Sequence, residues 1–141
     1  LYETRPEVTA FLQKTGKPVV PYYCAENKRY WPAQMYRRWA WKLFEQRTAG
    51  LFMWTWLSRD AWQGRSWDGG MVFAGNGGIV PSRRWELMRM GLEDWLLLDM
   101  ARQAGHSEQV NALVTEILEA PDNPALLEHA RSTLIRLLSS K

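Results

Sequence analysis

Two short apolar segments flank an amphipathic stretch, and this order constrains the fold more than any other feature of the chain. The segments are residues 18–24 and the seven-residue run 51–57. Between them, apolar residues recur at helical spacing up to Gly50. An unbroken apolar run is typical of a strand covered on both faces, and strand–helix–strand order is typical of a parallel sheet. The sequence therefore predicts the α/β class, although Pro18 and Pro21 argue against a central position for the first strand. The predicted helix begins near Pro32 and carries Met35, Tyr36, Trp39, Leu43 and Phe44.

The second half of the chain predicts three helices with recognisable ends. Ser82 is expected to cap a helix that runs to about Ala104, before Gly105. Ser107 is expected to cap the next helix, whose stripe is Val110, Leu113, Val114, Ile117 and Leu118. Asn123 and Pro124 then have the residue types of a cap and of a first helical position. The last helix carries Leu126, Leu127, Ala130, Leu134, Leu137 and Leu138.

The first residues predict one more short helix, over residues 3–14. Gly16 is placed to end it, as glycine commonly does at a helix C-terminus. Its apolar residues are expected to share one side of the helix, and they are Val8, Phe11 and Leu12.

Residues 58–81 predict a long loop between the strand region and the helices. This segment has 24 residues, six of them glycine and two of them tryptophan. Loops beyond ~12–15 residues are uncommon in compact domains and are often functional. Residues 71–73 are predicted to form a short strand within it. The glycine-rich stretch 74–78 lacks the Gly-Lys-Ser/Thr ending of a phosphate loop, so that motif is excluded.

The start of the first long helix has a distinctive charged pattern, Ser-x-Arg-(apolar)-Glu-x-x-Arg-x-Gly-x-Glu-Asp-(aromatic). It resembles the C-terminal signature of glycosidase-like proteins related to family-123 glycoside hydrolases. That family usually has Glu after the aromatic residue, where this chain has Leu96. The pattern is filled by Ser82, Arg84, Glu86, Arg89, Gly91, Glu93, Asp94 and Trp95.

The resemblance implies a C-terminal fragment of a (β/α)8 barrel, because a complete barrel needs ~250 residues and the chain has 141. Residues 1–57 would hold the last two βα units. Residues 58–81 would be a Gly/Trp-rich loop, and residues 82–141 a mainly helical C-terminal extension. The implied partners are a carbohydrate and the remainder of the parent barrel, without nucleic acid or membrane. The family also implies an extracellular or periplasmic location; no signal peptide is visible from Leu1 onward.

The activity implied by the resemblance is removal of a terminal N-acetyl-hexosaminide. The family resembles the hydrolases in which the acetamido group of the substrate attacks the anomeric carbon, assisted by an Asp-Glu pair. No Asp-Glu dipeptide occurs in this chain, so no catalytic residue is assigned and the chain alone is expected to be inactive. Glu93 and Asp94 have the reverse order and lie ~100° apart around a helix. They are interpreted as structural, with Arg89 paired to Glu93 and to Glu86.

Aromatic residues are the candidates for sugar binding, since seven of the nine tryptophans lie between residues 31 and 67. A flat ring packs against the apolar face of a sugar, while an indole N–H or phenol can bind a hydroxyl group. Barrel enzymes place their sites at the carboxyl ends of the strands. The substrate-binding prediction therefore comprises Trp56, Trp54, Tyr23, Trp62 and Trp67. Trp39, on the helical stripe, is assigned to the core instead, and Trp41 is left open.

Charge leaves two alternative functions open. Residues 1–91 hold 14 Lys/Arg and 7 Asp/Glu, whereas residues 92–141 hold 4 and 8. A basic half docked on an acidic half accounts for this asymmetry, and a basic helical module for nucleic acid or protein is the sharper alternative. The mixed basic and aromatic residues 36–42 fit that module, but also an outer basic helix face. A non-catalytic carbohydrate-binding or structural domain is the other alternative. His106, His129 and Cys24 stand apart, so neither a metal nor a cofactor is assigned.

Overall fold

The computed structural model describes residues 5–24, 31–54, 70–120 and 123–140. It is a mixed α/β structure in which helices predominate. Residues 25–30 and 55–69 lie outside the described residues, so the predictions made for them are not tested by the structure. The second of these ranges includes the end of the strand predicted over residues 51–57. The elements are α1 (Pro6–Gln13), β1 (Tyr22–Cys24), α2 (Met35–Glu45), β2 (Phe52–Trp54), β3 (Val72–Gly75), β4 (Gly78–Pro81), α3 (Arg83–Gln103), α4 (Ser107–Glu119) and α5 (Pro124–Ser139).

The predicted parallel strand pair, whose strands flank the helix expected from about Pro32, is confirmed. Strands β1 and β2 pair in parallel, with Tyr22 opposite Phe52 and Cys24 opposite Trp54, and α2 connects them. Strand β1 begins only after Pro21, whose carbonyl accepts a hydrogen bond from the Phe52 N–H at 2.9 Å. Proline has no N–H to donate to a sheet, which explains why β1 is shorter than the predicted segment.

Helix α3 runs parallel to α2, as successive contacts along the two helices show. Gly91 approaches Arg37 and Ala40, and farther along the guanidinium of Arg102 lies over the ring of Phe44. A Cβ atom added to Gly91 would lie 2.7 Å from the Arg37 carbonyl oxygen, so glycine permits this close helix contact. Parallel helices that follow successive parallel strands are the arrangement of repeated βα units. In the described part of the chain the parallel sheet has two strands, and no closed barrel is formed.

The loop prediction for residues 58–81 is partly corrected, because an antiparallel hairpin occupies its end. The predicted strand at residues 71–73 corresponds to β3, which pairs with β4 through a turn in which Gly77 has a φ of +97°. Strand β4 was not expected. Its four residues are all exposed, so it has no alternation of buried and exposed positions that could distinguish it from a loop.

Most of the predicted helix ends are confirmed. The Ser82 hydroxyl accepts a hydrogen bond from the Trp85 N–H at 3.1 Å, and the Asn123 side chain accepts one from the Ala125 N–H at 3.0 Å. Gly105, with a φ of +95°, ends α3. Ser107 is not a cap, however. Helix α4 begins directly after the turn at Gly105. His106 is therefore at the cap position, and Ser107 is the first helical residue.

One apolar core joins the helices on both sides of the predicted boundary at residue 82. Its buried residues come from α2, α3, α4 and α5. Burial of this shared surface is the main contribution to the stability of the helical layer. The expected apolar side of α1 does not join it: Val8, Phe11 and Leu12 are exposed, whereas Thr9 is buried. Core members are Trp41, Phe44, Leu98, Ala101, Val110, Leu113, Val114, Ile117, Leu127, Ala130 and Leu134.

No helix within the described ranges is both long enough and apolar enough to cross a membrane.

Candidate functional site at the carboxyl ends of the parallel strands

The structure describes two of the five residues predicted to bind sugar. Tyr23 lies in β1, and Trp54 is the last residue of β2, where its backbone pairs with Cys24. The side chain of Trp54 lies outside the described part, as do Trp56, Trp62 and Trp67 in full. The sugar-binding prediction for these four rings therefore stays a prediction.

Tyr23 belongs to an aromatic cluster at the carboxyl end of β1. Its ring contacts Trp31 edge to face, with centroids 5.3 Å apart, and it packs in the same manner on Trp39. Trp31 in turn lies 6.0 Å from Tyr36 and 5.6 Å from Trp39, centroid to centroid. Such edge contacts add to the apolar burial of each ring. The Tyr23 side chain is only 6% exposed, so it is a buried member of this cluster. The predicted burial of Trp39 is confirmed.

Arg84, in the first turn of α3, places a cation beside this aromatic cluster. Its Nη2 donates a hydrogen bond to the Gly70 carbonyl at 2.9 Å, and its side chain also hydrogen-bonds Tyr36. Its Nη1 is buried and has no hydrogen-bond partner among the residues that the structure describes. A buried donor without a partner carries a desolvation cost, and such groups often coincide with functional sites. Position 84 belongs to the charged pattern of the sequence, but only the fold brings it to the carboxyl end of the strands.

The phenol of Tyr36 is held in its neutral form. Burial raises the pKa of Tyr36 to about 12, although the charge and hydrogen bond of Arg84 act in the opposite direction. The neutral phenol is therefore present throughout the physiological range, where its O–H remains a donor. Together, Tyr36 and Arg84 form a polar edge on an otherwise apolar cluster.

Stability is expected to fall at high pH because of Tyr36. The folded pKa is about 12 against an ordinary value of 10.0, so its contribution is complete below pH 10 and is lost as the pH rises toward 12. Tyr36→Phe keeps the ring but cannot ionise. Urea unfolding at several values above pH 9 should show a steeper decline for the wild type than for this variant. Parallel pH profiles for the two proteins would contradict this assignment.

A second polar constellation lies between α2, α3 and α5, and it is centred on Asp94. Arg37 Nε donates to Asp94 Oδ2 at 2.6 Å, and Trp41 Nε1 donates to the same oxygen at 3.2 Å. Asp94 Oδ1 accepts from Arg131 Nη1 at 2.8 Å and from Arg37 Nη2 at 3.2 Å. Arg37 also pairs with Glu128. Because four donors occupy this fully buried carboxylate, it has no free position for proton transfer to a ligand.

Burial lowers the pKa of Arg37, but the hydrogen bonds and negative charges of Asp94 and Glu128 outweigh burial and raise it overall. The guanidinium thus stays charged although its side chain is only 2% exposed. The expected docking of a basic half on an acidic half is visible in this contact, since Arg37 comes from the first half and its partners from the second. This constellation is a structural junction of three helices.

The expectation of an outer basic face on residues 36–42 is wrong for Arg37. The neighbouring Arg38 is half-buried and donates to the Leu118 carbonyl at 2.9 Å. A signal for the burial of Arg37 was present in the sequence. Trp41 and Phe44 follow Arg37 at i+4 and i+7, which places all three on one helix face.

The pairs expected around Arg89 are found on the surface of α3. Arg89 Nε donates to Glu86 at 3.0 Å, and Arg89 Nη1 pairs with Glu93. The Arg89 side chain is 49% exposed, whereas Ser82, Gly91 and Asp94 of the same charged pattern are buried.

Within the described ranges, no group of three or more His, Cys, Asp or Glu side chains is arranged to hold a metal ion. A comparison with protein-family models and with curated proteins gives no match.

Proposed function

We propose that this chain forms the last two βα units of a barrel related to the glycoside hydrolases, and that its aromatic cluster borders the carbohydrate site. The observation that carries the proposal is the parallel pair β1 and β2 around α2, with aromatic residues gathered at the carboxyl ends of the strands. Barrel enzymes bind their substrates at that end. The likeness is one of architecture and of the charged pattern in α3, and the sugar chemistry is inferred from the site residues.

The exposed face of the parallel sheet supports the same proposal. Tyr23 faces α2, whereas its neighbour Tyr22 and the paired Phe52 are 61% and 65% exposed. Val20 is also exposed. Barrel strands alternate between residues that face the helices and residues that fill the interior. Two adjacent aromatic residues on this exposed face are suited to such an interior.

The polar edge of the cluster is suited to a sugar. Arg84 has a buried Nη1 that no described residue hydrogen-bonds, and Tyr36 beside it is a neutral phenol. A sugar presents hydroxyl groups around its rim and C–H groups on its faces, so it needs donors next to flat rings. The implied substrate is a terminal N-acetyl-hexosaminide. In this role Arg84 would hydrogen-bond a hydroxyl or acetamido oxygen, and the tryptophans of residues 54–67 would supply the rings.

Hydrolysis of an aryl N-acetyl-β-galactosaminide is the experiment that tests this proposal. The chain itself is expected to show no turnover, because it contains no Asp-Glu dipeptide. The protein expressed from the whole open reading frame, including any sequence encoded upstream of Leu1, is expected to release the aryl group. Turnover by the purified chain, with contaminating hydrolases excluded, would contradict the assignment of catalysis to another segment.

A non-catalytic carbohydrate-binding domain is the second candidate, and the same aromatic cluster favours it. This candidate predicts that the protein expressed from the whole open reading frame binds N-acetylgalactosamine without hydrolysing the aryl N-acetyl-β-galactosaminide. A basic module for nucleic acid has less support, since Arg37 is buried in ion pairs and Arg38 is bonded to α4.

A further inference from the structure

A polar cavity lies at the opposite end of the helices from the aromatic cluster. It has a volume of about 240 Å³ and is bordered by the ends of α2 and α3 and by one face of α4. Two arginines, Arg47 and Arg102, line it together with Asn111 and Thr115. Pockets for drug-sized ligands are ~300–1,000 Å³, so this one has the size for a small ion or a single head group.

Arg47 is held in a backbone conformation that costs free energy. It follows α2 with a φ of +53°, at the position where helices usually end in glycine. The Arg47 N–H donates to the Phe44 carbonyl and the Thr48 N–H to the Leu43 carbonyl, the two bonds of a Schellman motif. Gln13 Nε2 donates to the Arg47 carbonyl at 3.1 Å. An arginine in this left-handed position is a strained feature, and strain of this kind is concentrated at functional sites.

Arg102 reaches the cavity from the last turn of α3. Its guanidinium carbon lies 4.0 Å from the centroid of the Phe44 ring, a cation–π contact that orients the group. In the part of the chain that the structure describes, neither Arg102 nor Arg47 forms an ion pair. Their charges remain available to a ligand.

Helix α4 completes the set of donors. Asn111 and Thr115 are four residues apart, so they lie on the same face of α4, and both are exposed. An amide N–H2 and a hydroxyl group can each donate to an anion. Glu45 also borders the cavity and carries the opposing charge. The lining has two positive charges against one negative, so the net charge favours an anion.

We propose that this cavity binds a tetrahedral oxyanion, a phosphate or sulfate group. The lining offers hydrogen-bond donors from two guanidinium groups, an amide and a hydroxyl group. A carboxylate has two oxygens in one plane and could not accept from all of these donors. A tetrahedral anion presents three or four oxygens in different directions, which suits donors from α3, from α4 and from the turn after α2. The site lies at the end of the helices remote from the carboxyl ends of the strands. It is therefore independent of the proposed carbohydrate site.

The test is titration of the chain with inorganic phosphate and, separately, with sodium sulfate, followed by NMR of backbone amides at constant ionic strength and pH 7.5. Saturable shifts are expected at Arg47, Arg102 and Asn111. Arg47→Asn removes the guanidinium group but introduces a residue that tolerates a positive φ. It should weaken anion binding about tenfold or more, because a charge-assisted hydrogen bond is lost. Arg136→Ala, which removes an exposed arginine of α5, should leave the affinity unchanged.

Glu45→Gln provides the opposite change. It removes the one negative charge among the described lining residues and should tighten binding of phosphate and sulfate. Preference between phosphate and sulfate distinguishes the two sources of the oxyanion. The proposal is overturned if the shifts do not saturate, if Arg47→Asn binds as tightly as the wild type, or if acetate binds as well as both tetrahedral anions.

Discussion

Replacing Arg37 with alanine is expected to destabilise the chain by about 3–5 kcal/mol, the cost of breaking a buried ion pair by removing one partner. The substitution leaves Asp94 fully buried with only Arg131 and Trp41 as donors, and it removes the link from α2 to Glu128 on α5. Urea unfolding followed by circular dichroism measures the change. The midpoint should fall markedly, with the slope little altered.

Arg89→Ala is the matched control, because it also removes an arginine with two carboxylate partners. These partners are exposed, and a surface ion pair contributes about 1 kcal/mol or less. The free energy of unfolding should therefore change far less than for Arg37→Ala. Equal losses for the two variants would show that burial does not decide the role of these arginines.

Much of the helical layer was predictable because its signals are local. Ser82, Gly105 and Asn123 satisfy the open backbone groups of a helix end within a few residues of themselves. The same locality explains the parallel sheet, since two apolar strands joined by one amphipathic helix have few other arrangements. These features depend on residues that are close in the sequence.

The ion pairs of Arg37 were not predictable by the same reasoning, because its partners are distant in the sequence. Asp94 lies 57 residues farther along the chain and Glu128 lies 91 residues farther. Periodicity places Arg37 on the face of α2 that carries Trp41 and Phe44, but only the packing of three helices brings its charged partners to it. The misplaced apolar side of α1 has a related cause: periodicity identifies a common face but not whether another element covers it.

The sequence suggested a position for the candidate site but not the residues that meet there. The carboxyl ends of parallel strands follow from the class of fold, which pointed to Tyr23 and the neighbouring tryptophans. Arg84 and Tyr36 meet there only because α3 packs alongside α2. Their contact therefore needed the structure, as did the finding that Tyr23 is buried within the cluster.

If the exposed face of the parallel sheet lines the interior of a barrel, Phe52→Lys should destabilise the complete barrel much more than it destabilises this chain alone. In this chain Phe52 is largely exposed, so a lysine there should change the free energy of unfolding by no more than about 0.5 kcal/mol. Inside a barrel the same ammonium group would be buried without a partner. Its cost should then be about 3–5 kcal/mol, comparable to an uncompensated buried charge. Ile135→Lys, at an exposed apolar position of α5, is the control and should be nearly neutral in both proteins.

The most direct measurement is therefore the urea unfolding of Phe52→Lys in two proteins, this chain and the product of the whole open reading frame. The account predicts a nearly unchanged midpoint in the chain and a large loss of stability in the product of the whole open reading frame. A lysine at position 52 that is tolerated equally well in both would mean that this face remains in water, and it would contradict the barrel assignment.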